Sequence, residues 1–488
     1  MLQRCQYLLG LLGCFAVSVT ALAQTPEQES DSLYRETYAI VGARIEVGDG
    51  RVIGKGTVIV RNGQIKEVGT EVKVPAYAMV VKGEGLTIYP GFIDAYSTKG
   101  LKLPDPAPDQ DVKLDTGVMP PATMREANRK GIRPELNAVD YLDLSAMGDD
   151  RKAGFTAELI APTGGILNGS AAFVNTSGRP ARESVLVPTF GMVIGFQASG
   201  AGYPVTPLGF MAHLRQTLMD AQRLAIMSRD GNLPMADRPL QALQPTLRGE
   251  VPVLIEADRN FEIARSLGVA DQFSLKPILV GGLDAYKVAS DIKARGIPMI
   301  LALNYAPEPK PAAKPPETSP DQPAKPQANP AAEPDQGFKR TEDAGDLPPT
   351  PVLEERQSRW LDRVRSAKTL SAQGVLLSFS SRGSKDRAEF WKNLRRVIAE
   401  GFDRQEALKA LTVNPAKMFG VDRQFGTVET GKIANLTIMD GDFAQEKTKV
   451  KYVIVGGRLF DLEKDKSVPP PSRRRRGFFD DSNEGVEP

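Results

Sequence analysis

Two kinds of hydrophobic spacing divide the chain. Between Thr37 and Lys82, apolar and β-branched residues fall in short runs: Thr37 to Val47, Thr57 to Arg61, Gln64 to Val68 and Met79 to Lys82. Asp49-Gly50 and Asn62-Gly63 stand at the junctions. Asn-Gly between β-branched runs predicts a tight hairpin, because both turn positions require positive φ. The same grammar returns near the other end, in Gly426-Thr427-Val428, a Gly431-Lys432 turn, Ala434 to Met439, Val450 to Val455, a Gly456-Gly457 turn and Arg458 to Phe460. Neither piece can bury a face alone, so the two are expected to pair into one small β domain.

Between them the period changes. Val251 to Glu256, Leu275 to Val280, Ile297 to Leu303 and Val375 to Ser380 read as short buried strands. Arg259 to Leu267, Asp284 to Arg295, Gln357 to Ala372 and Arg387 to Ala399 read as helices. Strands alternating with helices imply parallel βαβ units, and the number of units predicts a closed eight-fold barrel. A longer helix, Phe210 to Ser228, carries Leu214, Leu218, Ala221 and Ala225 on one stripe. The expected fold class is therefore α/β, a (β/α)8 TIM-type barrel with a small β-sandwich domain assembled from both chain ends.

The remaining segments are low in apolar residues or lie at the ends. Residues 1–23 have Arg4, an apolar stretch from Tyr7 to Val19 and then Ala21-Leu22-Ala23, the pattern of a signal peptide cleaved before Gln24. Leu11-Leu12-Gly13-Cys14 also reads as a lipoprotein box, but the apolar run continuing past Cys14 favours cleavage before Gln24. The apolar stretch is shorter than the roughly 20 residues of a membrane span, and no other window approaches that length. Residues 24–36 form a polar leader, 37–88 and 426–465 the two parts of the β domain, and 89–425 the barrel. Within the barrel, 306–352 is rich in proline, and such a segment cannot offset its ordering entropy by burial. Residues 466–488, with Arg473 to Arg476 before an acidic end, form a solvated tail.

Charge and rare residues then narrow the chemistry. Lys plus Arg total 62 against 60 Asp plus Glu, so no overall field attracts a polyanion, and a nucleic-acid partner is disfavoured. The chain has one histidine, His213, and both cysteines, Cys5 and Cys14, lie in the expected signal peptide. The expected product is an exported, periplasmic or extracellular protein without thiols, unable to use a catalytic cysteine or zinc-thiolate site.

Tyr89-Pro90-Gly91-Phe92-Ile93-Asp94-Ala95-Tyr96-Ser97-Thr98 resembles the first barrel strand of the amidohydrolase superfamily, imidazolonepropionase-like branch. Thr412-Val413-Asn414-Pro415-Ala416-Lys417, followed by Gly426 to Gly431 and Ala434 to Asp440, resembles the closing helix and return to the small domain in that family. The resemblance implies a barrel that hydrolyses carbon-nitrogen bonds in amides or cyclic amides with zinc or another divalent metal. At the positions where the family has histidine ligands, this chain has Tyr96, Thr98, Glu256 and a glycine near Gly281 or Gly282. The last-strand aspartate falls at Ser380 or Ser381, whereas Asp94 is retained. A hydrolytic zinc needs about three protein ligands and an open position for water. One histidine and no thiol cannot supply them, so no metal cofactor is expected.

The candidate site is accordingly Glu256 as an acid or base, with Asp94, Tyr96, Thr98, Gly282, Ser380 and Ser381 around a pocket at the barrel mouth. The competing expectation is that these side chains fill the former metal cavity and pair with one another. His213, beside an apolar stripe, reads as a packed residue, and Ser290 and Lys293 as the solvent face of a helix. Thr163 to Ser170 reads as a tight glycine-rich loop, and Asp440-Gly441-Asp442 as a turn. Three functions are open. The favoured one is a metal-free protein binding a small polar ligand or a partner, such as an intact relative or a second copy. The others are a hydrolase acting through Glu256 or an oxygen-ligand metal, and a structural envelope protein.

Overall fold

A computed structural model describes residues 37–105, 130–199, 204–229, 237–309 and 350–464. The expected signal peptide, the polar leader and most of the proline-rich insertion and tail lie outside these residues. The hairpin forms where Asn-Gly places it: Asn62 and Gly63 have φ of 52° and 76°, and Arg61 pairs with Gln64. It joins β2 (Val52–Arg61) to β3 (Gln64–Gly69). These strands lie beside β1 (Thr37–Glu46), which also pairs in parallel with β4 (Met79–Lys82) and β5 (Thr87–Pro90). The other chain end completes this sheet, because β14 (Leu436–Met439) pairs antiparallel with β5 and carries β15 (Val450–Val455) and β16 (Arg458–Asp461) beyond it. Its apolar face buries Ile40, Ile45, Val58, Val60, Ile88, Leu436 and Ile454.

The chain enters the barrel through Gly91, whose amide donates to the Asn435 carbonyl at 2.8 Å. A β-carbon at Gly91 would lie 2.1 Å from Thr156 Oγ1, so only glycine fits this crossing. The barrel sheet contains β6 (Phe92–Ser97), β7 (Phe155–Ile160), β8 (Leu167–Asn175), β9 (Val185–Ile194), β10 (Val253–Ala257), β11 (Pro277–Gly281), β12 (Met299–Ala302) and β13 (Leu377–Ser380), neighbours in that order. The eight-stranded sheet is nearly closed, as the alternation predicts. Its early part departs from a strict repeat: β8 runs antiparallel to both β7 and β9, so these three strands form a meander without intervening βα units. Glycine turns around Gly164 and Gly178, both at positive φ, supply the reversals.

Helices cover the outer face: α1 (Gly148–Lys152), α2 (Pro207–Arg229), α3 (Asn260–Gln272), α4 (Ala289–Ala294), α5 (Thr350–Val364), α6 (Ser366–Ala372) and α7 (Arg387–Ala399). After them, α8 (Arg404–Leu411) and α9 (Val413–Met418) lead back to the β domain. Alternate strand residues separate two apolar layers. Val253, Ile255, Leu279, Leu301 and Phe379 face the helices, whereas Leu254, Val280, Ile300, Ala95 and Leu159 fill the lumen. Phe419, following α9, packs on Phe173 and Phe190 and closes the end where the strands begin. Function is thereby confined to the opposite end, where barrel strands deliver their last residues.

Phe92 joins the layers. Its ring lies 5.3 Å from Trp391, 5.8 Å from Tyr89 and 6.1 Å from Phe443, linking barrel strand, outer helix and β domain. Phe92→Ala should cost about 3–5 kcal/mol, read as a lowered denaturant midpoint. A cost below about 1 kcal/mol would mean the aromatic cluster does not couple these parts.

Candidate functional site

Two arginines, one on each side of the barrel wall, organise the polar residues near the mouth. On the luminal side, alternation places Glu256 on the same face of β10 as Leu254. The buried Tyr96 hydroxyl donates to Glu256 Oε1 at 2.8 Å. Arg382, just past β13, donates from Nε to the same oxygen at 3.3 Å and from Nη1 to Asp258 Oδ2 at 3.1 Å. Burial pushes the Tyr96 hydroxyl well above its ordinary pKa, and the Glu256 charge adds to this, so Tyr96 stays a donor. Burial works against the charge of Arg382, but Glu256 and Asp258 more than offset it and raise its pKa.

On the outer side, Arg387 opens α7 and is buried. Its guanidinium donates from Nε to Asp150 Oδ1 at 2.6 Å, from Nη2 to Glu158 Oε1 at 2.7 Å and from Nη1 to Asp94 Oδ2, and lies 4.5 Å over the Phe155 ring. Asp94 also accepts from the Ser381 amide at 3.0 Å and from Ser381 Oγ at 2.5 Å, which ties β6 to the end of β13. Lys99 reaches Asp150 at 3.0 Å. Burial opposes ionisation of Asp150, yet Arg387 and Lys99 hold its pKa below the ordinary value. Glu158 goes the other way. Its burial, reinforced by Asp150 and Asp94, outweighs Arg387 and raises it to about 8.

The candidate residues therefore separate. Tyr96 and Glu256 meet directly, and Ser380 is fully buried on the luminal side with its Oγ unpartnered among the described residues. Asp94 and Ser381 meet each other, but in the outer cluster. Thr98 is exposed and outside both clusters. Gly282 has a backbone role: φ is +72°, and a β-carbon there would lie 1.8 Å from Met299 Cε. His213 is buried on α2, and Ser290 and Lys293 are exposed. The glycine loop is spoken for by the chain itself, since the Ile166 and Leu167 amides donate to the Gly131 carbonyl at 2.8 and 2.9 Å. In the Asp440–Asp442 turn, Asp442 accepts from Arg404 at 2.6 Å. The sequence reading missed Arg382, Arg387, Asp150, Glu158, Asp258 and Asn168. A carboxylate inside the otherwise apolar Phe155–Ile160 run was the one local signal, since such a charge needs a buried partner.

Together these features define a class: a nearly closed α/β barrel with a β domain built from both chain ends and a polar site where the strands finish. The comparisons with known proteins specify it further. The sequence model of the amidohydrolase family matches residues 359–460. The solved structure of an amidohydrolase from Thermotoga maritima MSB8 is similar, with a TM-score of 0.65 at 19% identity, over 87% of this chain and 100% of that one. A putative prolidase from Bifidobacterium longum gives a TM-score of 0.49 at 16% identity, over 87% of this chain and 94% of that chain. No curated protein matches the chain in sequence. The chain is thus similar to amidohydrolases in fold and in the sequence of its closing segment, which bears out the resemblance seen at Tyr89 to Thr98 and Thr412 to Lys417.

The metal of that superfamily does not fit the residues present. Glu256 Oε1 already accepts from Tyr96 and Arg382, and a guanidinium 3.3 Å away would repel a dication. Thr98 points no ligand into the lumen cluster, and among the described residues no three His, Cys, Asp or Glu side chains are disposed to hold a metal ion.

Glu158 gives a pH prediction. A folded-state value of about 8 against an ordinary 4.5 means the protonated form is favoured by folding. Its contribution to stability is complete below about pH 4.5 and is lost as pH rises through about 8. Between those limits the wild type should lose stability relative to Glu158→Gln, which cannot ionise. Denaturant unfolding at both ends of the window checks this; parallel stability curves would refute it.

Proposed function

We propose that this is an exported amidohydrolase-fold protein that has exchanged metal-dependent hydrolysis for binding. The observation carrying the reading is the Tyr96–Glu256–Arg382 cluster: Tyr96 and Glu256 stand at two of the positions where the resemblance puts metal ligands, and Arg382 joins Tyr96 in saturating one Glu256 oxygen with protein donors. A hydrolytic metal needs those positions deprotonated and free, with a vacancy for water. A guanidinium and a phenol that keeps its proton provide neither. They do provide preformed polar groups at the barrel end, the usual place for a ligand in this architecture.

Protein purified without a histidine tag from the periplasmic fraction, its N-terminus sequenced to check cleavage before Gln24, should carry far less than one equivalent of zinc, nickel, manganese or iron by elemental mass spectrometry. It should also leave amides, cyclic imides and dipeptides uncleaved when these metals are added. One equivalent of metal with metal-dependent turnover would overturn the proposal.

Glu256 Oε2 is buried and unpartnered among the described residues, which favours, as a second reading, a metal-free acid or base. Turnover abolished by Glu256→Gln in a folded protein would establish that reading.

A protein partner has separate support. Leu208, Met219 and Ile226 are 81%, 51% and 58% exposed on α2, and their spacings of eleven and seven residues put them on one stripe. These three exposed side chains are where a partner would find apolar contacts on this helix. Replacing Leu208 and Ile226 by Glu should abolish co-purification with an intact amidohydrolase relative, or self-association, while leaving the melting temperature unchanged. Undiminished association would exclude this face.

A further inference from the structure

The luminal end holds more acceptors than the protein's own donors satisfy. Arg382 engages one oxygen each of Glu256 and Asp258. Glu256 Oε2 and Asp258 Oδ1 remain buried and unpartnered among the described residues, as do both polar atoms of the Asn168 amide and Ser380 Oγ. Glu256, Asn168 and Ser380 are 5%, 1% and 0% exposed, so bulk water does not compensate them. Buried carboxylates and amides ordinarily find partners, and a group of orphans at one place marks where something else binds.

Gly195, directly after β9, shows where two of these groups, Glu256 and Asn168, converge. A β-carbon there would stand 3.1 Å from Glu256 Oε2, 3.0 Å from Asn168 Nδ2 and 2.8 Å from the Gly165 carbonyl. Its φ is not positive, so the backbone does not require glycine; the crowding of polar atoms does. The charge balance gives the sign of the ligand. One guanidinium, Arg382, faces two carboxylates, leaving one negative charge in excess beside an oxygen that lacks a donor. Arg382 and Asp258 are 18% and 28% exposed in their side chains, so the cluster reaches the surface through them.

We propose that the luminal end binds a small organic cation with N–H donors, an amidinium or primary ammonium, which donates to Glu256 Oε2 with Asn168 beside it. The cation supplies what the cluster lacks, a positive charge and directed hydrogens, without displacing Tyr96 or Arg382 from Glu256 Oε1. Entry passes Asp258 and Arg382, the members of the cluster that reach the surface. This deepens the binding reading given above and rests on it.

The test uses the full mature protein with methylguanidinium and methylammonium chlorides as probes and acetamide and sodium acetate as comparators, all at millimolar concentration. Calorimetry and thermal melting should show saturable binding of at least one of the two cations and no binding of acetate. Glu256→Gln should weaken that binding about tenfold or more, the loss of a charge-assisted hydrogen bond. Asp258→Asn, which removes the excess charge from the partly exposed side, should weaken it severalfold and serves if Glu256→Gln does not fold. Binding of acetamide or acetate in place of the cations, abolished by Glu256→Gln, would overturn the cation proposal and leave the binding reading intact. Cation binding unchanged in both variants would overturn the site. Silence from all four probes would overturn the proposal and remove the ligand-binding support for the proposed function.

Discussion

One buried guanidinium ties the barrel wall to the helices outside it. Arg387 takes hydrogen-bond acceptors from β6, β7 and α1 and is itself the first residue of α7, so four elements distant in sequence meet at one charge. Removing a partner from such a buried pair costs about 3–5 kcal/mol, because the charge left behind has no water to receive it. The cluster avoids surplus charge by protonation: with Glu158 neutral, Arg387 and Lys99 face Asp94 and Asp150. Phe155 beneath the guanidinium and Ser381 on Asp94 fix its plane and position. Asp94, retained with Pro90 and Gly91 in a first-strand motif whose two histidine positions hold Tyr96 and Thr98, spends its carboxylate on Arg387 and on Ser381 at the end of β13.

That separation is what the proposed exchange of metal chemistry for binding requires of this end of the barrel. The fold's polar anchor lies between strands and helices, while Tyr96, Asn168, Glu256 and Ser380 belong to the luminal layer inside the wall. Changes in the lumen need not break the anchor. The luminal residues obey the same electrostatics: a buried carboxylate at position 256 requires donors, and Tyr96 and Arg382 provide them on one oxygen only. The arrangement leaves Glu256 Oε2 without a donor among the described residues, and the proposed binding reading turns on that incompleteness.

Much of the architecture was legible because it rests on local rules. Asn62-Gly63 fixes a hairpin, alternating strands and helices fix the barrel, and the two β-rich ends can bury their faces only together. The meander at β7 to β9 was not legible in the same way. Its strands are buried on both faces, so Phe155 to Ile160 carries no alternation to betray an antiparallel partner, and direction is set by glycine turns whose φ the pattern does not encode. The candidate site was half legible. Family-motif positions led to Tyr96, Glu256, Ser380 and Asp94, but the groups that decide what those residues do are arginines at 382 and 387. An arginine in a polar loop or at the first position of an amphipathic helix reads as a solvent residue until the third dimension supplies its carboxylates.

The scarcity of histidine has a further physical consequence at this barrel end. Imidazole can donate and accept, and can exchange a proton near neutrality, so a histidine-lined lumen adapts its hydrogen bonding to the ligand. Tyr96 is held protonated by burial and by Glu256, and Arg382 is held charged by its two carboxylates. Both are committed donors over the ordinary pH range, and both face the same oxygen. The remaining acceptors therefore keep a fixed polarity, and a ligand must match it with donors of its own. Selection by fixed polarity needs no proton transfer and no metal, so the proposed binding role asks nothing of this barrel end beyond the donors and acceptors it already holds.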